Sequence, residues 1–336
     1  MTDNVYPWLS TIYRGLLAMR DALPHALLFT GPEGIGLDEL ADRFAAALLC
    51  EAPRPDGDAC GGCPACGWFA QRSHPDLRRL TPGGDAASED APSKAKEKES
   101  RWIRIDQVRA LSEFLMVGGH RGGRKVVLID PADALNPPAA NALLKTLEEP
   151  LGATVFLLVA RRADALLPTI RSRCVLVQAP LPAADDALRW LEAAGGVDAG
   201  TARALLAAAG GAPLRARALA EPAQSTAYRA IVKTVAQIPD ISSIQAADAV
   251  GSLPFGAWVP LLQAWVTDLG RVAAGGVPRR FPEERERLAR LARSTTLDRI
   301  GRYGQWLQRQ SAILDHPLNP RLFCEDTLLR YRQLFG

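Results

Sequence analysis

A run of four apolar residues, Ala26-Leu27-Leu28-Phe29, leads at once into Gly31-Pro32-Glu33-Gly34-Ile35-Gly36, and helical spacing follows from about Leu37 to Leu49. A short apolar run that ends in a glycine-rich turn and reopens as a helix reads as a buried strand, a tight loop and a crossover helix. This feature constrains the chain most, because a strand buried on both faces needs parallel neighbours with helices covering each side. Such neighbours are present. Val126-Val127-Leu128-Ile129, Val155 to Val159 and Val175-Leu176-Val177 read as three further strands. Pro138 to Glu149 has helical spacing, with Leu143, Leu144 and Leu147 on one side. The expected fold class is α/β with a parallel sheet.

After Gln178 the pattern changes. Ala179-Pro180-Leu181-Pro182 reads as a linker, and the remainder is helical, broken at Gly195-Gly196 and Gly210-Gly211. A chain of 336 residues is too long for one typical domain, and 48% apolar content supports more than one core. The expected division is an α/β domain over 1–178, a small helical domain over 179–221 and a larger helical domain over 222–336. Gly83 to Ser100 has no aliphatic side chain larger than alanine and reads as a disordered surface loop. A net charge of +3 places no strong field over the whole molecule. No apolar run is long enough to span a bilayer, and Met1 to Ser10 does not read as a secretory signal, so the expected location is cytoplasmic.

In a reducing compartment six cysteines are not expected to form a disulfide framework. Four of them, Cys50, Cys60, Cys63 and Cys66, follow C-x9-C-x2-C-x2-C, the spacing of a structural zinc site. Gly61, Gly62, Pro64 and Gly67 supply the tight turns, and Cys50 closes the set from the end of the preceding helix. Four sulfur ligands leave no open position for water, so the metal is expected to be structural. The competing readings are free thiols and a redox pair. Cys174 and Cys324 read as core residues, and His74 as a turn residue.

The glycine frame Gly31, Gly34, Gly36 fits the phosphate-binding loop G-x-x-x-x-G-K-[ST], but Leu37 and Asp38 stand where lysine and a hydroxyl belong. Either the loop binds phosphate with altered chemistry, or it has kept its backbone and lost the nucleotide. The second reading is expected, with no ATP in this chain's own site. Asp130, after the second strand, could hold magnesium, but Pro131 cannot polarise an attacking water. Asp133 reads as a turn or cap residue.

Leu166 to Cys174 ends a helix and enters a strand, with Arg173 at the junction. In a chain without its own catalytic residues, this permanently charged fork is suited to stabilising a nucleotide on an adjacent subunit.

Tyr6-Pro7-Trp8-Leu9, His25-Ala26-Leu27-Leu28, the four cysteines, His74-Pro75-Asp76, Asn141 to Pro150 and Arg171-Ser172-Arg173-Cys174 together resemble the delta-prime family of bacterial DNA polymerase III clamp-loader subunits. The resemblance is strong over residues 1–180 and rests on Asn319-Pro320-Arg321 and the final helix beyond. It implies an AAA+ domain, a lid and a collar. It also implies an assembly with delta and the gamma or tau motor subunits, with the beta sliding clamp and primed DNA as the assembly's targets. Arg173 would be the trans arginine finger, and the chain itself a stator without ATPase activity. Family motors carry a lysine where Leu37 stands, and an arginine in the lid where Leu214 stands, beside Arg215. Two other readings compete: an active ATPase with an altered loop, and a zinc-dependent nucleic-acid-binding protein. Leu37 and Pro131 oppose the first. The lack of a basic, aromatic surface near Gly61 to Gly67 opposes the second. Arg279 to Arg302, interspersed with Glu283, Glu284, Glu286 and Asp298, reads as a solvated helix face or a subunit contact.

Overall fold

A computed structural model describes residues 5–84, 101–120, 123–251, 253, 255–311 and 319–336. Residues 85–100 of the expected disordered loop lie outside the described residues. The chain divides into two compact units, Met1–Ala183 and Ala184–Gly336.

The first unit is built on five parallel strands in the order β2-β3-β4-β1-β5: β1 Ala26–Thr30, β2 Leu77–Leu80, β3 Lys125–Ile129, β4 Thr154–Ala160 and β5 Val175–Gln178. The three central strands are buried along their whole length, as the unbroken apolar runs require. Among the described residues, six α-helices accompany the sheet: α1 Ser10–Ala18, α2 Leu37–Leu49, α3 Pro64–Ala70, α4 Ile105–Met116, α5 Pro137–Glu148 and α6 Pro168–Arg171. This arrangement fits the AAA+ α/β fold. Local chemistry fixes where the helices begin. Asn136 caps α5 by accepting a bond from the Ala139 N–H at 2.8 Å, and Pro137 takes the first helical position. Leu143 and Leu147 of α5 enter the core beneath the sheet, while Leu144 is only half-buried.

One strand carries no apolar run. In β2, Leu77 and Leu80 face inward while Arg78 and Arg79 lie between them. The Arg78 guanidinium lies over the Phe114 ring at 4.6 Å and that of Arg79 over Phe69 at 5.1 Å, so aromatic faces cover the charged heads.

The second unit is helical. α7 Ala184–Gly195, α8 Ala199–Ala208 and α9 Pro213–Ala220 enclose a small cluster centred on Ala187, Leu191, Ala202, Leu206 and Ala216. A larger cluster is formed by α10 Pro222–Gln237, α11 Ser243–Val250, α12 Phe255–Ala273, α13 Arg285–Arg293, α14 Leu297–Ser311 and α15 Pro320–Arg332. The Asn319 side chain caps α15 through the N–H groups of Arg321 and Leu322. Cys324 is fully buried in this larger cluster, and burial pushes its thiol up to about 12. Inside it, Trp265 Nε1 donates to the Tyr331 hydroxyl at 2.7 Å, and both residues are buried. Tyr331→Phe strands the indole N–H. It is expected to cost about 1–3 kcal/mol in urea unfolding followed by tryptophan fluorescence.

Candidate functional site

The cysteine module grows out of α2. The helix ends where Cys50 turns to extended backbone. Cys63 then caps α3, its Sγ accepting from the Cys66 N–H at 3.5 Å, with Pro64 at the first helical position. The four Sγ atoms lie within 4.8 Å of one another. Three of the separations are 3.7 Å (Cys50–Cys66), 3.8 Å (Cys50–Cys63) and 3.9 Å (Cys60–Cys66). A tetrahedral centre with metal–sulfur bonds of about 2.3 Å has edges of about 3.8 Å. The residues present therefore fit a four-thiolate metal ion.

The electrostatics agree. Cys63 is drawn down to about 6: its burial acts upward, and the Cys66 and Glu51 backbone donors and neighbouring thiols outweigh it. Burial, then Cys63 and Cys50, push Cys66 up to about 12. Four thiols this close cannot all ionise without a cation between them.

Beside the cluster, Asp58 clamps the loop to the domain body. It is 5% exposed, and accepts from Tyr13 Oη, from Arg43 Nη2 at 2.5 Å and from the Ala59 N–H at 2.8 Å. Burial alone would raise this carboxyl, but the Arg43, Tyr13 and Ala59 bonds hold it below the usual range. His74 is a buried turn residue as expected, its Nδ1 accepting from the Asp76 N–H.

The glycine-rich loop keeps its shape. Gly34 and Gly36 have φ of +83° and +87°, the left-handed region open to glycine. A Cβ on Gly31 would come within 2.4 Å of the Ala179 carbonyl. What fills the loop is different. Leu37 is 5% exposed, turned into the core at the position where lysine would reach for phosphate. Tyr6 lies against Gly36, where a Cβ would come within 2.4 Å of its ring. Trp8 stacks on Tyr6 at 5.2 Å and donates its Nε1–H to the Ile35 carbonyl at 2.8 Å.

Asp130, at the end of β3, has one buried carboxylate oxygen with no hydrogen-bond partner. Burial pushes its pKa up to about 6. Asp38 adds to the shift, Arg161 opposes it, and Asp42 and Asp133 contribute further. Around Asp130 the carboxylates of Asp38, Asp42 and Asp133 thus act against the one guanidinium of Arg161. Asp133 serves as a turn residue, accepting from the Arg161 N–H at 3.2 Å.

An acid whose pKa is raised on folding binds more protons folded than unfolded. Stability therefore falls as pH rises from about 4 to about 6 and stays lower above. Asp130→Asn is expected to gain about 1–2 kcal/mol at pH 7.5, and that gain should vanish at pH 4. Urea unfolding at the two pH values measures it.

Arg173 stands between α6 and β5. Its Nη2 pairs with Glu148 Oε1 and its Nη1 donates to the Thr169 carbonyl at 2.9 Å. Its side chain is one-third exposed. Next to it Val175 and Leu176 of the edge strand are exposed, at 50% and 56%. Cys174 packs partly into the core, and burial pushes its thiol up to about 11. Sequence reasoning did not single out Glu148 as the partner of Arg173, nor Asp58 as the clamp. Each pair is joined across a long stretch of chain, which spacing does not report.

Among known proteins, a family model described as DNA polymerase III, delta subunit, matches residues 15–182. The DNA polymerase III subunit delta' of Pseudomonas aeruginosa is 36% identical over 99% of each chain. That of Escherichia coli is 33% identical over 77% of this chain and 70% of its own. A solved structure of a DNA polymerase III gamma subunit-related protein from Thermotoga maritima aligns over 98% of this chain and 100% of its own, at 19% identity and a TM-score of 0.39. Among the described residues no helix is long and apolar enough to cross a membrane.

Proposed function

This chain belongs to the delta-prime family of DNA polymerase III subunits, and from that premise we propose that it is the non-hydrolysing stator of a clamp loader. Its partners are then the delta and gamma or tau subunits, and the assembly opens the beta sliding clamp and loads it onto primed DNA. The observation that carries the reading is Leu37, buried where a phosphate-binding lysine would stand. The net-negative surroundings of Asp130 support it, because they repel the phosphates such a site must attract.

In this reading the three expected parts, 1–178, 179–221 and 222–336, act as an inactive nucleotide-binding-like domain, a lid and a collar. Cys50, Cys60, Cys63 and Cys66 hold zinc. With all four positions taken by sulfur, the ion supplies rigidity and no catalysis. Arg173 acts outside this chain. It exchanges the Glu148 carboxylate for the phosphate of a nucleotide on the neighbouring subunit. Both partners are anions that suit the same planar fork, so the exchange costs little while the Thr169 carbonyl still holds Nη1.

The test is reconstitution. Loader subunits with this chain should load the clamp onto primed DNA in an ATP-dependent manner, and without it loading should collapse. Undiminished loading in its absence would refute the stator role.

A further inference from the structure

The second unit holds a cationic cleft that the stator reading does not use. Arg203 of α8, Arg215 of α9, Arg271 of α12, and Arg279 and Arg280 beyond α12 line a concavity of about 720 Å³. Among the described residues that line it, the one acid is Asp268, and that carboxylate is already committed. Fully buried, it accepts from Arg271 Nη1 at 3.1 Å and from the N–H groups of Arg280 and Phe281 at 2.7 and 3.0 Å.

Arg280 is built into the wall. Its Nη1 donates to the Ala208 carbonyl at 2.8 Å, and its guanidinium rests on Gly210, where a Cβ would come within 2.3 Å of it. Gly210 also has φ of +70°, so the turn after α8 needs glycine on both counts. Burial, and then the neighbouring Arg215, push the Arg280 guanidinium below its ordinary value. Arg203, Arg215 and Arg279 have no ion pair among the described residues. The expected solvated face thus holds only in part, since Arg280 is half-buried and fixed.

Like charges held around one concavity repel unless an anion joins them. We propose that this cleft binds a polyphosphate group, the linked phosphates of a nucleoside di- or triphosphate or of inorganic polyphosphate. The guanidinium forks of Arg203, Arg215 and Arg279, from two helices and one loop, offer paired N–H donors to phosphate oxygens, beside the Arg271 and Arg280 guanidiniums that Asp268 and Ala208 hold in place. The volume is that of a small-molecule site, and a concavity of that size holds a compact anion. Recognition rests on the phosphates, so adenine and guanine nucleotides bind alike.

The test is calorimetric titration of the full chain at low salt with tripolyphosphate, ATP, GTP and a short single-stranded oligonucleotide. Arg203 and Arg279 are exposed and unpaired, so R203A/R279A keeps the fold, and an unchanged melting temperature verifies this. Tripolyphosphate and both nucleotides should bind within a few-fold of one another. The double variant should weaken each by about tenfold per guanidinium removed, while Asp130→Asn leaves them unchanged. No binding overturns the proposal. So does binding that the double variant retains, or an oligonucleotide that binds more tightly than tripolyphosphate, which would make the cleft part of a nucleic-acid surface.

Discussion

Arg173→Ala is expected to slow ATP hydrolysis at the one nucleotide site it faces by about 10³-fold, with the assembled loader still forming. The size follows from where charge develops in phosphoryl transfer. A guanidinium fixed beside the transferring phosphate stabilises the transition state and leaves the ground-state contacts between subunits nearly untouched. Single-turnover hydrolysis by the reconstituted loader, with gel filtration to verify assembly, measures both. Arg173→Lys should recover little, because a point charge does not reproduce the paired donors.

Glu148 separates positioning from chemistry. It holds Arg173 in the free chain together with the Thr169 carbonyl. Glu148→Ala should therefore lose about tenfold or less, since one of the two anchors remains. A Glu148 variant as slow as Arg173→Ala would mean that the carboxylate itself takes part at the neighbouring site.

Removing the zinc we propose on the four cysteines should have the second large effect, and it should act on structure. Cys66→Ser, or chelation, should take the bound zinc from one equivalent to none by elemental analysis. It should also remove roughly 10 kcal/mol of local folding free energy from the module. Hydrogen exchange reports this as lost amide protection over residues 50–70. The strands stay protected, because their core lies in the apolar cluster beneath the sheet and not in the module. The Asp58 clamp to Tyr13 and Arg43 persists at neutral pH without metal and keeps the loop near α1 and α2. Cys174→Ser, outside the cluster, should leave zinc content unchanged.

The central strands were legible because burial on both faces demands unbroken aliphatic runs, and Ala26 to Phe29, Val126 to Ile129 and Val155 to Val159 supply them. The four-cysteine cluster was legible because thiol spacing is itself the chemistry. β2 was not. Its two middle residues are arginines, and Phe114, Phe69 and Asp42, brought in by other elements, make them compatible with a sheet. Lys125 was equally opaque. A buried lysine opening a strand makes sense only because its ammonium caps the carbonyls of Phe114 and Val117 at the end of α4. At the nucleotide site the absent lysine could be read from Leu37 alone. The covering by Tyr6 and Trp8 and the orphaned oxygen of Asp130 needed coordinates. Arg280 shows the same limit, since its seat is a missing Cβ seventy residues earlier.

In the function we propose, this chain works on a neighbour's nucleotide and not on its own. Steady-state ATP hydrolysis by the purified chain alone, beside its Asp130→Asn variant, is the decisive measurement. No turnover above background and no difference between the two proteins are expected. Turnover that Asp130→Asn abolishes would contradict it and make the first unit a working ATPase.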